Sequence, residues 1–255
     1  MNAANSPRLV DYHCHLDLYP NYEKKFADYG SSSIEILTVT TTPKAWPRNR
    51  ELCVQFPNIR VGLGLHPQLV GERPNELKIF ENYFAEARFV GEVGLDASPR
   101  YYASFAEQKR IFHHILRMCA EAGDKILSIH SVRAAREVLN CIELSLAGSR
   151  SSPVLHWFTG SSSDAKRAVE LGCYFSVNEQ MLANPTSHRI LEMIPTDRIL
   201  SETDGPFLKI QGRLAEPGEV NGVVNALAQL LGCSILQIKE LLIKNLIALE
   251  QRGSD

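Results

Sequence analysis

The amino-acid sequence predicts an α/β fold, a single (β/α)8 barrel, and three observations support that prediction. The chain has 255 residues, of which 44% are hydrophobic and 22% charged, and these values fit one large domain over residues 1–255. Short apolar runs alternate along the chain with segments of helical spacing. This alternation implies parallel strands joined by helical crossovers, and eight such units in about 250 residues are typical of a barrel.

Eight short runs rich in Val, Ile and Leu are the predicted strands. They are Leu9–His13, Ile34–Val39, Arg60–Leu65, Phe89–Val93, Lys125–His130, Val154–Trp157, Cys173–Val177 and Arg198–Ser201. The segments with helical spacing predict helices at Arg48–Phe56, Glu76–Ala87, Ala103–Ala122, Arg133–Leu146, Ser163–Leu171, Thr186–Ile194, Pro217–Leu231 and Ser234–Gln251. In the segment from residue 103 to 122, apolar residues recur every three to four positions, and a glycine then ends the helix.

A doubly wound open sheet is the main alternative to the barrel. Such a sheet ordinarily has a glycine-rich turn after its first strand, where a pyrophosphate binds. Here the first strand ends in His13, Cys14 and His15, and these side chains suit a metal ion better. The sequence therefore favours the barrel.

Composition excludes several classes of protein. Lys and Arg total 27 against 29 Asp and Glu, which argues against a protein that coats DNA through many phosphate contacts. The six cysteines are scattered without a CxxC pair, which disfavours a disulfide scaffold and a thiolate zinc site. No apolar run reaches the roughly 18 to 20 residues that span a bilayer. We therefore expect a cytoplasmic protein with no membrane partner.

Imidazole and carboxylate side chains recur where the predicted strands end. These residues are His13, His15, His66, Glu92, His130, His156 and Asp204. Barrel enzymes place their reactive groups at this face. Each histidine alone is compatible with a hydrogen-bonded core residue, whereas the whole set indicates a site.

This set of side chains predicts a metal centre. Imidazole and carboxylate ligands suit divalent ions such as Zn²⁺ or Mn²⁺, and the absence of thiolate weakens the case for a structural zinc site. Four histidines and two carboxylates of this set make six ligands. Six exceed the four of one tetrahedral site, so two ions that share a bridging carboxylate fit better. Such a pair can generate a hydroxide and stabilise the entering and leaving oxygens. Hydrolysis is the reaction class that this centre predicts.

The same positions carry a resemblance to a known family. The motifs are His13-Cys14-His15-Leu16-Asp17, Gly64-Leu65-His66-Pro67, Gly91-Glu92-Val93-Gly94-Leu95-Asp96, Ile129-His130-Ser131, His156-Trp157-Phe158-Thr159-Gly160 and Glu202-Thr203-Asp204-Gly205-Pro206. In this order they resemble the TatD family of metal-dependent deoxyribonucleases, which belongs to the amidohydrolase-like barrels. The resemblance implies two divalent ions (Mg²⁺, Mn²⁺ or Zn²⁺) and hydrolysis of DNA, often from a 3′ end of a single strand.

The resemblance also implies a role for each residue. His13 and His15 would hold one ion, and His130 and His156 would hold the other. Glu92 would bridge the two ions. Asp204 would bind a metal and accept the proton of the attacking water, so that Glu92 and Asp204 are the expected catalytic residues. Three further residues are expected to contact the phosphate: His66, Gln68 and Arg133.

Several positions depart from the family pattern. An arginine is common two residues after the histidine of the fifth strand, but Val132 stands there and Arg133 comes one residue later. Gln68 replaces a frequent second histidine. Trp157 stands where a small or sulfur-bearing residue is usual, and its ring offers either a stacking surface for a base or additional packing.

The departures leave the expected ligands intact and concern the substrate. They suggest a specialised branch, such as the TatD-like component of the Qat antiphage system, with protein partners in a defence complex. A second hypothesis is that the same metal ions hydrolyse an ester or amide bond, as in deacylation of D-aminoacyl-tRNA. A third is a non-catalytic barrel that serves as a subunit of a larger complex.

Overall fold

Eight parallel strands follow one another in chain order around one sheet in the computed structural model. The structure describes residues 8–73 and 75–252, except for the side chain of Thr186. The strands are β1 (Leu9–Cys14), β2 (Ile34–Val39), β3 (Ile59–Leu63), β4 (Phe89–Gly94), β5 (Ile126–His130), β6 (Ser152–His156), β7 (Tyr174–Val177) and β8 (Ile199–Ser201). Beyond β8, the Asp204 N–H donates to the carbonyl of His13 at 2.8 Å, which joins the two ends of the sheet. The predicted (β/α)8 barrel is confirmed.

Helices connect the strands and close the chain. They are α1 (Tyr22–Gly30), α2 (Trp46–Cys53), α3 (Glu76–Phe84), α4 (Phe105–Ala122), α5 (Ala135–Leu146), α6 (Ser162–Glu170), α7 (Glu179–Ala183), α8 (Pro185–Leu191), α9 (Asn221–Leu231) and α10 (Ile235–Gln251). A small antiparallel ribbon of β9 (Lys209–Ile210) and β10 (Arg213–Leu214) lies in the loop after β8. The apolar faces of α4 and α5 are buried at intervals of three to four residues, as the periodicity predicts.

Helix α1 is absent from the helices that the sequence predicts. Its sequence is mostly polar, and Phe26 is its one buried residue, so it carries little apolar periodicity. The short helix α7 and the β9–β10 ribbon were also not predicted, because segments of two to five residues are too short to show a period.

Two strand boundaries differ from the predicted ones in a way that affects the site. The third strand ends at Leu63 rather than Leu65, so that His66 lies in the following loop, just before a 3-10 turn over Pro67–Leu69. The sixth strand ends at His156, and Trp157 adopts a left-handed backbone with a φ of 40°. Both side chains therefore belong to loops at the carboxyl end of the barrel.

The strands of the barrel are almost entirely buried.

No single described helix is long and apolar enough to cross a bilayer. Helices α9 and α10 meet that length and hydropathy criterion only as a pair, with a bend of 105° between them.

Candidate metal centre

Irregular strand register directs two of the predicted ligands towards the barrel mouth. The pairing of β1 with β2 shifts between Asp11 and Cys14, around His13. The pairing of β4 with β5 shifts between Val90 and Val93, around Glu92. A local irregularity of this kind re-aims a side chain out of the regular alternation of a strand.

His13 and His15 converge on two carboxylates at ion-sized spacing. The Nε2 atom of His13 lies 3.7 Å from Glu92 Oε2 and 3.6 Å from Asp204 Oδ1, and the Nε2 atom of His15 lies 3.5 Å and 3.6 Å from the same oxygens. Both nitrogens are buried and have no hydrogen-bond partner. Ligand atoms about 2.0–2.2 Å from one tetrahedral ion lie roughly 3.3–3.6 Å apart. These four side chains therefore fit a divalent ion.

The histidines of the fifth and sixth strands contact the second carboxylate oxygen of Glu92, Oε1. His130 Nδ1 lies 2.6 Å from Glu92 Oε1, and His156 Nε2 lies 3.2 Å from the same oxygen. The rings of His13 and His156 are stacked with centroids 3.8 Å apart. The two histidine pairs thus contact different oxygens of Glu92, as expected for a bridging carboxylate.

Among the described residues, three groups of side chains could hold a metal ion. Within each group, the ligand atoms lie within 4.8 Å of one another. They are His13, His156 and Asp204; His13, His15 and Glu92; and His66, Glu92 and His130. All six expected ligands are therefore brought together. The grouping also brings His66, expected at the phosphate, next to the ligands.

The tautomer of His66 separates it from the ligand set. Its Nδ1 accepts the Gln68 N–H at 3.2 Å, so in the neutral ring the proton is on Nε2. That Nε2 lies 3.3 Å from Glu92 Oε1. A protonated nitrogen donates a hydrogen bond and cannot bind a metal, so the geometry favours contact with an oxygen, as expected for a phosphate-binding residue.

Three residues outside the expected set orient the histidines. Ser128 Oγ lies 2.7 Å from His13 Nδ1. Asp96 Oδ2 lies 3.2 Å from His130 Nε2. A carboxylate or hydroxyl on the second ring nitrogen fixes the orientation of a metal-binding histidine.

Glu202 is the third orienting residue. Its Oε1 lies 3.4 Å from His156 Nδ1, and it also accepts from Asn178 at 3.0 Å. The sequence carried a signal for two of these residues. Asp96 and Glu202 lie inside the quoted motifs, two residues and one residue after apolar strands, where an unpaired carboxylate is costly.

The protonation of the two central carboxyls follows from their surroundings. Burial alone would raise the pKa of Glu92, but His66, His13 and His130 hold that pKa well below its ordinary range. The pKa of Asp204 is likewise lowered, mainly by its hydrogen-bonding contact with an imidazole despite burial. Both groups are therefore anionic at neutral pH.

Carboxyl and imidazole groups dominate the centre. Four buried carboxylates meet there, Glu92, Asp96, Glu202 and Asp204, and no Lys or Arg lines the cavity above them among the described residues. Buried charges are costly unless they are paired or coordinate metals. The donor set, its spacing and its charge all fit divalent cations.

Comparison with known proteins identifies the family. Residues 10–251 match the model of the family described as TatD related DNase. The chain belongs to this family.

Other TatD-family proteins match along nearly their whole length. The chain is 26% identical to human "Deoxyribonuclease TATDN3", with 94% of each chain covered. It is also 26% identical to "Uncharacterized metal-dependent hydrolase YcfH" of Escherichia coli, with 93% of each covered. The crystal structure of YJJV, a TATD homologue from Escherichia coli, superimposes with a TM-score of 0.83 at 24% identity and covers 95% of this chain and 97% of that one. The prediction of a metal-dependent hydrolase is confirmed at the level of the family.

The remaining predicted site residues of this TatD-family chain fall at different distances from the centre. His66, Gln68 and Trp157 line a cavity of about 410 Å³ above the ligands. The Gln68 Nε2 donates to Asp96 at 2.7 Å, so its amide is already engaged. Arg133 has a left-handed backbone with a φ of 53°, is exposed and lies outside the cavity lining.

Proposed function

We propose that the protein hydrolyses DNA phosphodiester bonds with two divalent ions. The observation that supports this most is the convergence of four histidines on Glu92 and Asp204 at the mouth of the barrel. Mg²⁺, Mn²⁺ or Zn²⁺ bound there would acidify a water molecule and neutralise charge on a phosphate. His13 and His15 would hold one ion, and His130 and His156 the other.

The chain supplies the proton transfer and the orientation of the phosphate. Asp204 lines the cavity, and its backbone N–H donates to the carbonyl of His13. Its carboxylate would accept a proton from the attacking water. Glu92 orients the two histidine pairs about one point. The Nε2–H of His66 would donate to a phosphate oxygen. The backbone N–H of Gln68 would hold the His66 ring, and the side-chain amide of Gln68 would hold Asp96.

The cavity favours an end of a single strand as the substrate. A volume of about 410 Å³ is at the lower part of the range for small-ligand sites, which suits one nucleotide unit. We infer a 3′-to-5′ exonuclease that acts on single-stranded DNA. Arg133 makes no ion pair with described residues and would contact a phosphate outside the cavity.

A biological setting follows from the departures from the family pattern. We propose a cytoplasmic role in antiphage defence, with protein partners, on the basis of the resemblance to the TatD-like component of the Qat system. A plaque assay with wild-type protein and the Glu92→Gln variant tests it, and equal protection by both proteins contradicts it.

The nuclease proposal is tested with single-stranded oligonucleotides labelled at the 5′ or 3′ end, in the presence of Mg²⁺, Mn²⁺ or Zn²⁺. We expect divalent-dependent loss of nucleotides from the 3′ end, abolished in His130→Ala and retained in His114→Ala. The control changes a half-buried histidine on α4 that lies outside the cavity lining. Equal cleavage by wild type and His130→Ala would indicate a contaminant. Deacylation of D-aminoacyl-tRNA without nucleolysis would replace the proposal with ester hydrolysis.

A further inference from the structure

Two aromatic side chains form walls of the cavity above the metal centre. Trp157 follows β6 and Phe207 lies in the loop after β8, and both line the cavity together with Val132 and Thr159. The rest of the lining includes the polar groups described above, such as His66 and Glu92. The cavity lining therefore combines charged groups with an apolar wall of aromatic side chains.

Trp157 is held in a conformation that the backbone disfavours. Its φ of 40° lies in the left-handed region, which costs a non-glycine residue of the order of 1–3 kcal/mol and is typical of ligand clamps. Its N–H donates to Glu202 Oε1 at 3.1 Å, and the same oxygen lies 3.4 Å from His156 Nδ1. The backbone of Trp157 is thus tied to a predicted ligand through Glu202.

Phe207 is fixed although it is exposed. Its side chain is 59% exposed, and its ring meets the ring of His15 edge-on, with centroids 5.0 Å apart and an interplanar angle of 88°. Its N–H donates to the carbonyl of Asp204 at 2.8 Å. An anchored aromatic ring that remains open to water at a cavity provides a surface for a ligand to cover.

The substrate group that fits this wall is planar, with apolar faces. Lys and Arg are absent from the described lining, so the wall does not suit a further phosphate. Bases stack on aromatic side chains in single-stranded nucleic acids, and a base in a duplex is not available for such stacking.

We propose that Trp157 and Phe207 form a slot for one unpaired nucleobase, that of the nucleotide whose phosphate lies at the metal centre. This inference rests on the proposed nuclease function and defines its substrate specificity. The slot selects unpaired terminal nucleotides and holds the phosphate over Glu92. The two rings bind substrate and leave the metal ligands unchanged.

The first test compares oligonucleotides with a normal or an abasic nucleotide at the end that wild type removes. We expect the missing base to raise the KM of wild type about tenfold, since stacking contributes about 1–3 kcal/mol per base. Trp157→Gly removes the ring and accepts the positive φ, and Phe207→Ala removes the second wall. Both should raise KM for the normal substrate about tenfold at saturating metal.

The decisive outcome is the interaction between base and ring. In Trp157→Gly and Phe207→Ala, the abasic and normal substrates should have similar KM values, whereas Trp157→Phe should retain part of the difference. Tyr102→Ala, which removes an exposed aromatic ring outside the cavity lining, should behave as wild type. Unchanged KM values, or an equal rise for both substrates, would overturn the slot and leave the nuclease proposal standing.

A second test reports binding without turnover. Trp46 and Trp157 are the two tryptophans, and Trp46 is 3% exposed with its Nε1 lacking a hydrogen-bond partner, so Trp46→Phe isolates the Trp157 signal. Deoxyadenosine monophosphate should quench this fluorescence saturably, and deoxyribose 5-phosphate should not. Absence of quenching overturns the slot, whereas quenching by a protein that cleaves no oligonucleotide would contradict only the proposed nuclease function.

Discussion

The Oε1 atom of Glu202 lies 3.4 Å from the Nδ1 atom of His156, so a buried carboxylate orients one of the histidines that converge on Glu92. The same oxygen accepts the N–H of Trp157 at 3.1 Å. One side chain thus couples a predicted metal ligand to the loop that forms the cavity wall. Glu202 is 1% exposed, and its hydrogen bonds to the β7 loop hold it in place.

Replacement of Glu202 should therefore weaken metal binding. Glu202→Gln keeps the size of the side chain but removes the carboxylate on the imidazole, and we expect about a 10- to 100-fold loss of affinity for Zn²⁺. Competition with a chromogenic chelator measures that affinity. The matched control, Glu170→Gln on the exposed face of α6, should bind Zn²⁺ as wild type. Equal Zn²⁺ affinity in both variants would show that the Glu202 carboxylate does not support metal binding.

Glu92→Gln should reduce both activity and metal content. The amide cannot provide two anionic oxygens to the two histidine pairs, and we expect a fall in kcat of about 100-fold or more. Elemental analysis of the purified variant should find fewer than the two ions per chain that we propose for wild type. A variant that retains two ions and full activity would show that Glu92 does not bridge them.

Removal of metal should lower thermal stability. A ligand present at about 100 times its Kd stabilises the folded state by about 2.7 kcal/mol, and each kcal/mol shifts the Tm of a chain of this size by about 2–4 °C. Chelation with EDTA should therefore lower Tm by roughly 5–11 °C. Addition of Zn²⁺ in excess should restore it. An unchanged Tm after verified metal removal would contradict metal binding to the folded centre.

Gly94 should tolerate no side chain. Its φ is 142°, and a Cβ there would lie 2.1 Å from the carbonyl oxygen of His130. Gly94→Ala should therefore lower the free energy of unfolding by more than about 3 kcal/mol, or prevent folding, because the backbone of His130 would have to move. The control is Gly123→Ala, where φ is 76° and no atom lies within 4 Å, with an expected loss of about 1–2 kcal/mol. Urea unfolding measures both, and equal losses would contradict the prediction.

The strands and the ligand positions could be predicted from the sequence because they depend on local pattern. The run from Ile126 to Ile129 is apolar, and His130 follows it directly. Parallel strands bring such ends to one face whatever their separation in the chain. His13 and Asp204 also follow predicted strands, and their side chains lie 3.6 Å apart between Nε2 and Oδ1.

Other features depend on contacts between distant residues and were not predictable. The tautomer of His66 is set by the N–H of Gln68 in a turn whose geometry the sequence does not reveal. The backbone of Trp157 is held by Glu202, 45 positions later. Helix α1 was missed because its stability depends on one buried residue, Phe26, rather than on a repeated apolar face.

The most direct test of the metal centre is a crystal structure of the protein grown with Zn²⁺, with anomalous diffraction measured at the zinc edge. The account predicts two anomalous peaks at the mouth of the barrel. One should lie within bonding distance of His13 and His15, the other within bonding distance of His130 and His156, and both should contact Glu92. Peaks elsewhere on the protein, with none bound to Glu92, would contradict it.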